Sequence, residues 1–256
     1  MDEKLVAFLN NKVKAYNQPA FIAADPICIP HRFSLKQDIE IAGFFSAIFA
    51  WGNRTTIINK SSELMSLMND KPYDFCLNHT DEDLKKLLGF KHRTFTATDL
   101  LYFIQFFKMH YTKHDSLETA FTQWMKKGDI NVQQALNGFY QYFFSLPEVP
   151  KRTLKHIACP DKNSACKRIN MYLRWMVRKD NCAVDFGLWR NISPAQLIIP
   201  LDVHVARVAR QFGILKRKQT DWQAALDLTL QMKQLDKKDP ARYDFALFAL
   251  GVLEKF

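Results

Sequence analysis

Residues 34–51 read SLKQDIEIAGFFSAIFAW and form a strongly apolar stretch. The apolar side chains recur at helical spacing, yet they occupy nearly the whole circumference that a helix would present. A helix of this kind has no polar face to turn toward water, so we predict that it lies at the centre of a core. Ser34 is a good capping residue and is predicted to begin the helix, and Gly52 is predicted to end it.

Helical spacing of apolar residues also runs through most of the remaining sequence. Four of the predicted helices are used below: 93–111, 164–177, 203–212 and 221–235. Asp202 is predicted to cap the third of these helices and Thr220 the fourth. The chain has only 8 glycines, which is few for the turns of an extended β architecture, and no long strand pattern is found. We therefore predict an all-α fold, a compact multi-helix unit over residues 1–256 with two helical lobes flanking a cleft.

The chain is strongly basic, with a net charge of +10 and an isoelectric point of about 9.3. This balance suits a polyanionic partner, nucleic acid first and an anionic membrane surface second. A basic soluble protein without such a partner is the alternative interpretation. The apolar content of 48% argues against a disordered chain.

Cysteine and histidine spacing and the apolar segments indicate in which cell compartment the protein is expected and whether it binds a metal. The five cysteines are odd in number and widely spaced, and none forms a Cys-x-x-Cys pair, so neither a disulfide framework nor a zinc ribbon is predicted. His110 and His114 lack an evident third metal ligand and are predicted to be a surface pair. No segment has the apolar run of a signal peptide or of a membrane span. We expect a cytoplasmic protein that needs no metal and no other cofactor.

Lys167 and Asp202 could supply chemistry together. Lys167 lies in SACKR at 164–168 and Asp202 lies in IPLDVH at 199–204, each near the start of a predicted helix. The positive end of a helix and neighbouring cations favour a neutral amine, which is the nucleophilic form. A capping carboxylate is fixed in place and kept ionised, so it can stabilise a positively charged sugar. If the two residues act together, amine and carboxylate should lie within about 6 Å. A solvated lysine and a purely structural cap are the alternative.

These stretches resemble the helix-hairpin-helix DNA glycosylase superfamily, nearest to its archaeal-type 8-oxoguanine DNA glycosylase branch, through an uncharacterised bacterial family. In that branch a lysine followed by an apolar helix precedes a Pro-x-Asp-x-[His/Arg] turn. Three further stretches support the resemblance: AWGNR at 50–54 resembles an early damage-side loop, GFKHR at 89–93 resembles a Gly-[Phe/Tyr]-x-x-[Arg/Lys]-Ala turn, and YDFALF at 243–248 resembles the last helix. The resemblance covers about residues 35–256 and leaves out most of residues 1–34, which are predicted to form an N-terminal helix and a proline-rich loop.

The resemblance implies roles for individual residues. Lys167 and Asp202 would be catalytic within an active-site segment at 154–212. Asp244 would read the damaged purine, Phe248 would stack on it, and Met171 stands where the branch places a second stacking aromatic. DNA contacts are implied for a further set: Trp51, Asn53, Arg54, Lys162, Ser164, Arg168, His204 and Arg207. For Trp51 a structural role in the core is the alternative.

The segment before Lys167 departs from the superfamily pattern. The superfamily has Leu-Pro-Gly-Val-Gly there, and its glycine amides form a nest for a DNA phosphate. Residues 158–165 contain no glycine, so Lys162 and Ser164 would make this contact through their side chains.

The activity that the resemblance implies is that of a DNA glycosylase with AP lyase activity. The enzyme would flip an oxidised purine, 8-oxoguanine in the branch that the chain resembles, out of damaged double-stranded DNA. No cofactor, no membrane and no obligate protein partner is implied. The altered hairpin and Met171 leave open a protein that binds DNA or RNA structure without cleaving a base. A hydrolase of free nucleosides or nucleotides is a third interpretation.

Overall fold

The structure, a computed structural model, describes residues 2–256; Met1, where the predicted 1–34 segment begins, lies outside the described residues. The α-helices and strands, in chain order, are α1 (Glu3–Tyr16), α2 (Lys36–Phe49), α3 (Arg54–Leu67), α4 (Pro72–Asn78), α5 (Asp81–Lys86), β1 (Lys91–His92), β2 (Phe95–Thr96), α6 (Ala97–Tyr111), α7 (Glu118–Thr122), α8 (Gln133–Phe143), α9 (Lys167–Val177), α10 (Val203–Gln211), α11 (Trp222–Lys233) and α12 (Asp244–Phe248). Short 3-10 helices lie at Pro19–Ala24, Pro26–Cys28, Pro30–Arg32, Lys151–His156, Pro160–Lys162, Pro194–Gln196 and Pro240–Tyr243, and a π-helical turn lies at Ala249–Leu253. The predicted all-α fold class is confirmed.

Backbone contacts divide the chain into two compact units. Unit 1 comprises residues 2–23, 125–137 and 158–256, and unit 2 comprises residues 24–124 and 138–157. Most of the predicted active-site segment, from residue 158 to residue 212, lies in unit 1. No helix in residues 2–256 is both long enough and apolar enough to cross a membrane.

The core of unit 2 is aromatic and is built around α2. Every residue of α2 from Ile39 to Phe49 is buried, which confirms that this helix is central to the core. The ring centroids of Phe44 and Phe107 lie 5.5 Å apart, and those of Phe45 and Phe103 lie 5.8 Å apart. Pairs at such separations add roughly 0.5–1.5 kcal/mol each beyond the burial of their area.

Two predicted helix starts in unit 2 are wrong. Helix α2 begins at Lys36 after Leu35 rather than at Ser34. The helix predicted to start at Arg93 begins at Ala97 instead, because residues 91–96 form the antiparallel β1–β2 hairpin. The Asp99 carboxylate accepts a hydrogen bond from the Thr96 backbone N–H at 2.8 Å and so fixes the start of α6.

Unit 1 holds α9 to α12 and α1. Asp202 caps α10, as predicted. The helix predicted to begin at Ser164 begins at Lys167, because Ser164 forms an antiparallel bridge with Asp221. The cap predicted at Thr220 is provided by Asp221, whose carboxylate accepts from the Ala224 backbone N–H at 3.0 Å. The Ser164–Asp221 bridge joins residues far apart in the chain, so the local sequence does not show it.

His110 is fully buried in unit 2 and is therefore not half of a surface pair with His114. Its Nε2 lies 3.0 Å from the Ser116 carbonyl oxygen, and its Nδ1 lies 3.2 Å from the Tyr142 hydroxyl. These partners suit a neutral imidazole that donates from Nε2 and accepts at Nδ1. Burial lowers the pKa of His110 from 6.5 to about 4.

We expect the neutral imidazole to make the protein sensitive to mild acid. Between pH 6.5 and pH 4 the unfolded chain binds a proton at His110 that the folded chain does not, so stability falls as the pH falls through this window. The loss should approach about 3 kcal/mol at pH 4. Urea unfolding at pH values from 7 to 4 should show this loss in the unfolding free energy of the native chain. In His110→Gln the unfolding free energy should fall by about 3 kcal/mol less over the same range. Parallel losses in the two proteins would contradict the prediction.

Candidate active site

Helix α9 begins at Lys167 because the turn before it cannot be helical. Asn163 and Cys166 both have left-handed backbones, with φ of 54° and 52°. Residues in this region do not continue a right-handed helix. The side chain of Asn170 donates to the Ala165 carbonyl oxygen at 3.1 Å and ties the turn to the first part of the helix. The Lys167 side chain thus leaves the N-terminal end of α9, where the helix dipole is positive.

Asp202 is fixed by the helix that it caps. Its Oδ1 accepts hydrogen bonds from the backbone N–H groups of His204 and Val205, both at 2.9 Å. Its other oxygen, Oδ2, lies 3.9 Å from Nζ of Lys167. This separation is well within the range of about 6 Å in which neighbouring charges strongly affect one another.

The two oxygens of Asp202 therefore have different tasks. Oδ1 serves the helix, and Oδ2 is directed toward the Lys167 amine. The side chains of Lys167 and Asp202 are 23% and 22% exposed, so a ligand can reach both from solvent. A nucleophilic amine beside a carboxylate can attack an electrophilic carbon while the carboxylate accepts a proton or stabilises positive charge.

Met171 lies one turn after Lys167 on α9. Its Sδ is 3.8 Å from Nζ of Lys167, and the residue is buried. The thioether thus contacts the Lys167 amine. It does so at the position where the resembled branch has a stacking aromatic. A methionine is polarizable and adapts its shape, so it can contact an aromatic ring without the fixed geometry of stacking.

Asp244, at the first position of α12, is buried and paired with the guanidinium of Arg174. Burial raises the pKa of the Asp244 carboxyl to about 6, although the charges of Arg174 and Lys167 favour its ionised form. The Asp202 charge also raises this pKa, so both members of the Lys167–Asp202 pair affect the ionisation of Asp244. The three ionisable groups belong to one electrostatic cluster in unit 1.

A chain of buried ion pairs adjoins this cluster through Arg174, and no local sequence pattern indicates it. Arg174 Nε lies 3.3 Å from Asp185, and Arg178 lies 2.9 Å from the second oxygen of the same carboxylate. Arg178 also pairs with Asp180 at 2.7 Å and with Asp239 at 2.9 Å. These carboxylates are engaged by guanidinium groups, so the acidic residues are not arranged to hold a metal ion.

The spacing of residues along α9 groups the two arginines with Lys167, but it does not indicate that they are buried or paired. Residues 167, 171, 174 and 178 follow one another at intervals of four, three and four, which places them on one side of a helix. Cations on a helix are usually solvated, so the pattern favours an exposed stripe. The structure instead buries Arg174 and Arg178, each below 4% exposed.

The other residues implied near the base and phosphates lie around α10 and α12. Phe248, on α12, is half-buried, with its ring centroid 6.4 Å from that of Phe21. His204 and Arg207 are exposed on α10. Arg207 donates to the Gly251 carbonyl oxygen at 2.9 Å, so part of its guanidinium is used within the protein.

The three remaining candidates of unit 1 lie in the turn before α9, for Lys162 and Ser164, and in the first turn of α9, for Arg168. Lys162 is exposed at the end of a 3-10 helix. The Ser164 hydroxyl accepts from the Cys166 backbone N–H at 3.2 Å, and so it orders the turn. Arg168 is half-buried, and burial lowers its pKa to about 10, which leaves it charged at neutral pH.

Trp51, Asn53 and Arg54 lie in unit 2. The guanidinium of Arg93 stacks over the Trp51 ring at 4.3 Å from the ring to the guanidinium carbon. The Asn53 side chain caps α3 by accepting from the Thr56 backbone N–H at 3.1 Å. Arg54 follows as the first residue of α3 and is half-buried. The stacked Arg93, which was not among the predicted residues, belongs with this group.

The fold and the site together define a helical protein with a lysine–aspartate pair at two helix starts. The chain belongs to the family described as Protein of unknown function (DUF2400), whose model matches residues 25–253. No curated protein and no solved structure gives a match.

Proposed function

We propose that this chain is a DNA glycosylase with AP lyase activity that removes an oxidised purine, 8-oxoguanine, from double-stranded DNA. The observation that carries the proposal is the 3.9 Å separation between Nζ of Lys167 and Oδ2 of Asp202. An amine and a carboxylate at this distance provide the nucleophile and the charge stabilisation that cleavage of an N-glycosidic bond needs. The net charge of +10 suits a polyanionic substrate.

In the proposed first step the damaged nucleotide is flipped out of the duplex. The neutral Lys167 amine attacks C1′ of the sugar, and the bond between C1′ and the purine nitrogen breaks. The electron pair of that bond leaves with the purine, which takes up a proton. Asp202 stabilises the positive charge that develops on the sugar and accepts a proton from the lysine nitrogen.

In the second step the sugar ring opens and an imine joins Nζ to C1′. Loss of a proton from C2′ then allows the C3′–O bond to break, which nicks the strand. Hydrolysis of the imine returns the free lysine. Asp244 would read an edge of the purine, and Phe248, one turn later on α12, would stack on its face.

Borohydride trapping tests the proposal directly. Reduction converts an imine to a stable amine, so the native protein should become covalently attached to a duplex that contains 8-oxoguanine or an abasic site. Lys167→Gln should give no adduct and no nick, while its DNA binding is retained. The matched control is Lys237→Gln, which removes an exposed lysine elsewhere in unit 1 and should trap like the native protein.

The possible outcomes separate the candidate functions. An adduct that persists in Lys167→Gln would show that another amine reacts and would contradict the proposed mechanism. An adduct on the abasic duplex alone would keep the lyase step and reopen the choice of base. Binding without any adduct would favour the second candidate, a protein that recognises nucleic acid structure. The Arg174–Asp244 ion pair favours that candidate, because it occupies the carboxylate assigned to base reading.

A further inference from the structure

The loop between α10 and α11 carries three consecutive cations, Lys216, Arg217 and Lys218. Buried side chains hold it at both ends: Leu215 precedes the cations, and Trp222 begins α11. We call residues 216–219 the basic loop. Every one of its residues is polar, and Lys216, Lys218 and Gln219 are exposed.

Arg210 fixes the backbone of the basic loop. Its Nε donates to the Arg217 carbonyl oxygen at 2.9 Å, and its Nη2 donates to the carbonyl oxygens of Lys218 and Gln219 at 2.8 and 3.0 Å. The Thr220 hydroxyl accepts from the same Nη2 at 3.1 Å. One guanidinium thus organises four successive residues. A loop ordered in advance loses less conformational entropy when it binds a partner.

The three cations of the basic loop are not equivalent. Arg217 forms a two-pronged ion pair with Asp221, at 2.8 and 2.5 Å, so its charge is neutralised within the protein. Lys216 and Lys218 form no ion pair with any residue of the described part of the chain. The loop therefore presents two uncompensated positive charges on a fixed backbone.

The basic loop is tied to the segment that leads into the catalytic helix. Asp221, which holds Arg217, forms an antiparallel bridge with Ser164. The Asn163 side chain also hydrogen-bonds to Asp221. Lys167 follows this segment directly. A partner that contacts the loop is thus held by the same local framework that positions the reactive amine.

We propose that Lys216 and Lys218 bind phosphates of the duplex whose damaged nucleotide enters the Lys167–Asp202 site. This inference rests on the proposed function. Exposed lysines without carboxylate partners, on a loop ordered by Arg210, suit contacts to a phosphate backbone, which position a protein without reading sequence. A membrane surface is disfavoured, because the loop has no apolar side chain to insert among lipids.

The salt dependence of binding to an undamaged duplex tests this inference. Each phosphate contact contributes about one unit to the slope of log K against log salt concentration. Replacing both residues, as Lys216→Gln with Lys218→Gln, should lower the slope by about two. The matched control replaces two exposed lysines elsewhere in unit 1, as Lys126→Gln with Lys127→Gln, and should leave the slope unchanged.

Trapping on an abasic duplex, measured beside the slopes, separates this inference from the proposed function. A lower slope together with an adduct formed at saturating protein supports both. A lower slope with no adduct even in the native protein keeps the DNA-contacting loop and removes the glycosylase proposal. An unchanged slope, or an equal loss in the control pair, overturns the loop inference whatever the trapping shows. The loop inference is also overturned if the substitutions weaken binding to vesicles of phosphatidylcholine and phosphatidylserine but leave DNA binding unchanged.

Discussion

Asp202→Asn should lower the rate of base excision from an 8-oxoguanine duplex by about 10²–10⁴-fold. Asparagine is as good a helix cap as aspartate, so the bonds that Oδ1 accepts from His204 and Val205 can be kept by the amide oxygen. What the substitution removes is the negative charge beside Nζ of Lys167. Single-turnover kinetics with excess enzyme measures the excision step itself.

Asp202→Ala is the companion variant, because it removes both the charge and the cap. It should be as slow as Asp202→Asn, and it should also lose about 1 kcal/mol of unfolding free energy. A rate in Asp202→Asn close to that of the native protein would show that Asp202 is a cap and nothing more. The comparison thus separates the capping role of Asp202 from its proposed catalytic role.

Arg174→Met should destabilise the protein by about 3–5 kcal/mol, the usual cost of breaking a buried ion pair from one side. Arg174 pairs with Asp185 and Asp244, and all three residues are almost fully buried. Methionine fills much of the same space but leaves the Asp244 carboxylate without its partner. Asp185 keeps its pair with Arg178. Urea unfolding at pH 8, above the Asp244 pKa of about 6 in the native protein, measures the loss.

The double variant, Arg174→Met with Asp244→Asn, is the control for this prediction. It removes the stranded charge, so it should recover part of the lost stability, and the cycle of single and double variants gives the coupling energy of the pair. Substituting an exposed arginine usually changes the free energy of unfolding by about 0.5 kcal/mol or less. A loss this small in Arg174→Met would show that the buried ion pairs do not stabilise the protein.

The features predicted correctly from the sequence are those that short-range patterns decide. The central position of α2 follows from apolar residues on all its sides, and the cap at Asp202 follows from the residues next to it. Two predicted helix starts are wrong because strand-like pairing, long-range for α9 and local for α6, competes with helical propensity. The Ser164–Asp221 bridge delays α9, and the β1–β2 hairpin delays α6.

The proximity of the two partly exposed residues of the candidate site could be predicted from the sequence, but the buried ion pairs next to them could not. Lys167 and Asp202 lie at helix starts with recognisable sequence settings, and the structure places them 3.9 Å apart. The pairing of Arg174 with Asp244 joins residues far apart in the chain, and an arginine on a helix is ordinarily taken as solvated. The prediction that His110 lies on the surface is wrong because its hydrogen-bonding partners lie outside its own helix and could not be identified from the local sequence.

The stripe of residues along α9 has a consequence for mutational tolerance. Helix α9 carries the amine at its first residue and the buried Arg174 two turns later, and the buried Arg178 follows directly after its last residue. In a library randomised along α9, few functional variants should survive at Arg174 or Arg178, although neither residue would touch the substrate. Selections for altered base preference should therefore draw their variation from Met171 and Phe248. Those positions can change shape without stranding a charge in the interior.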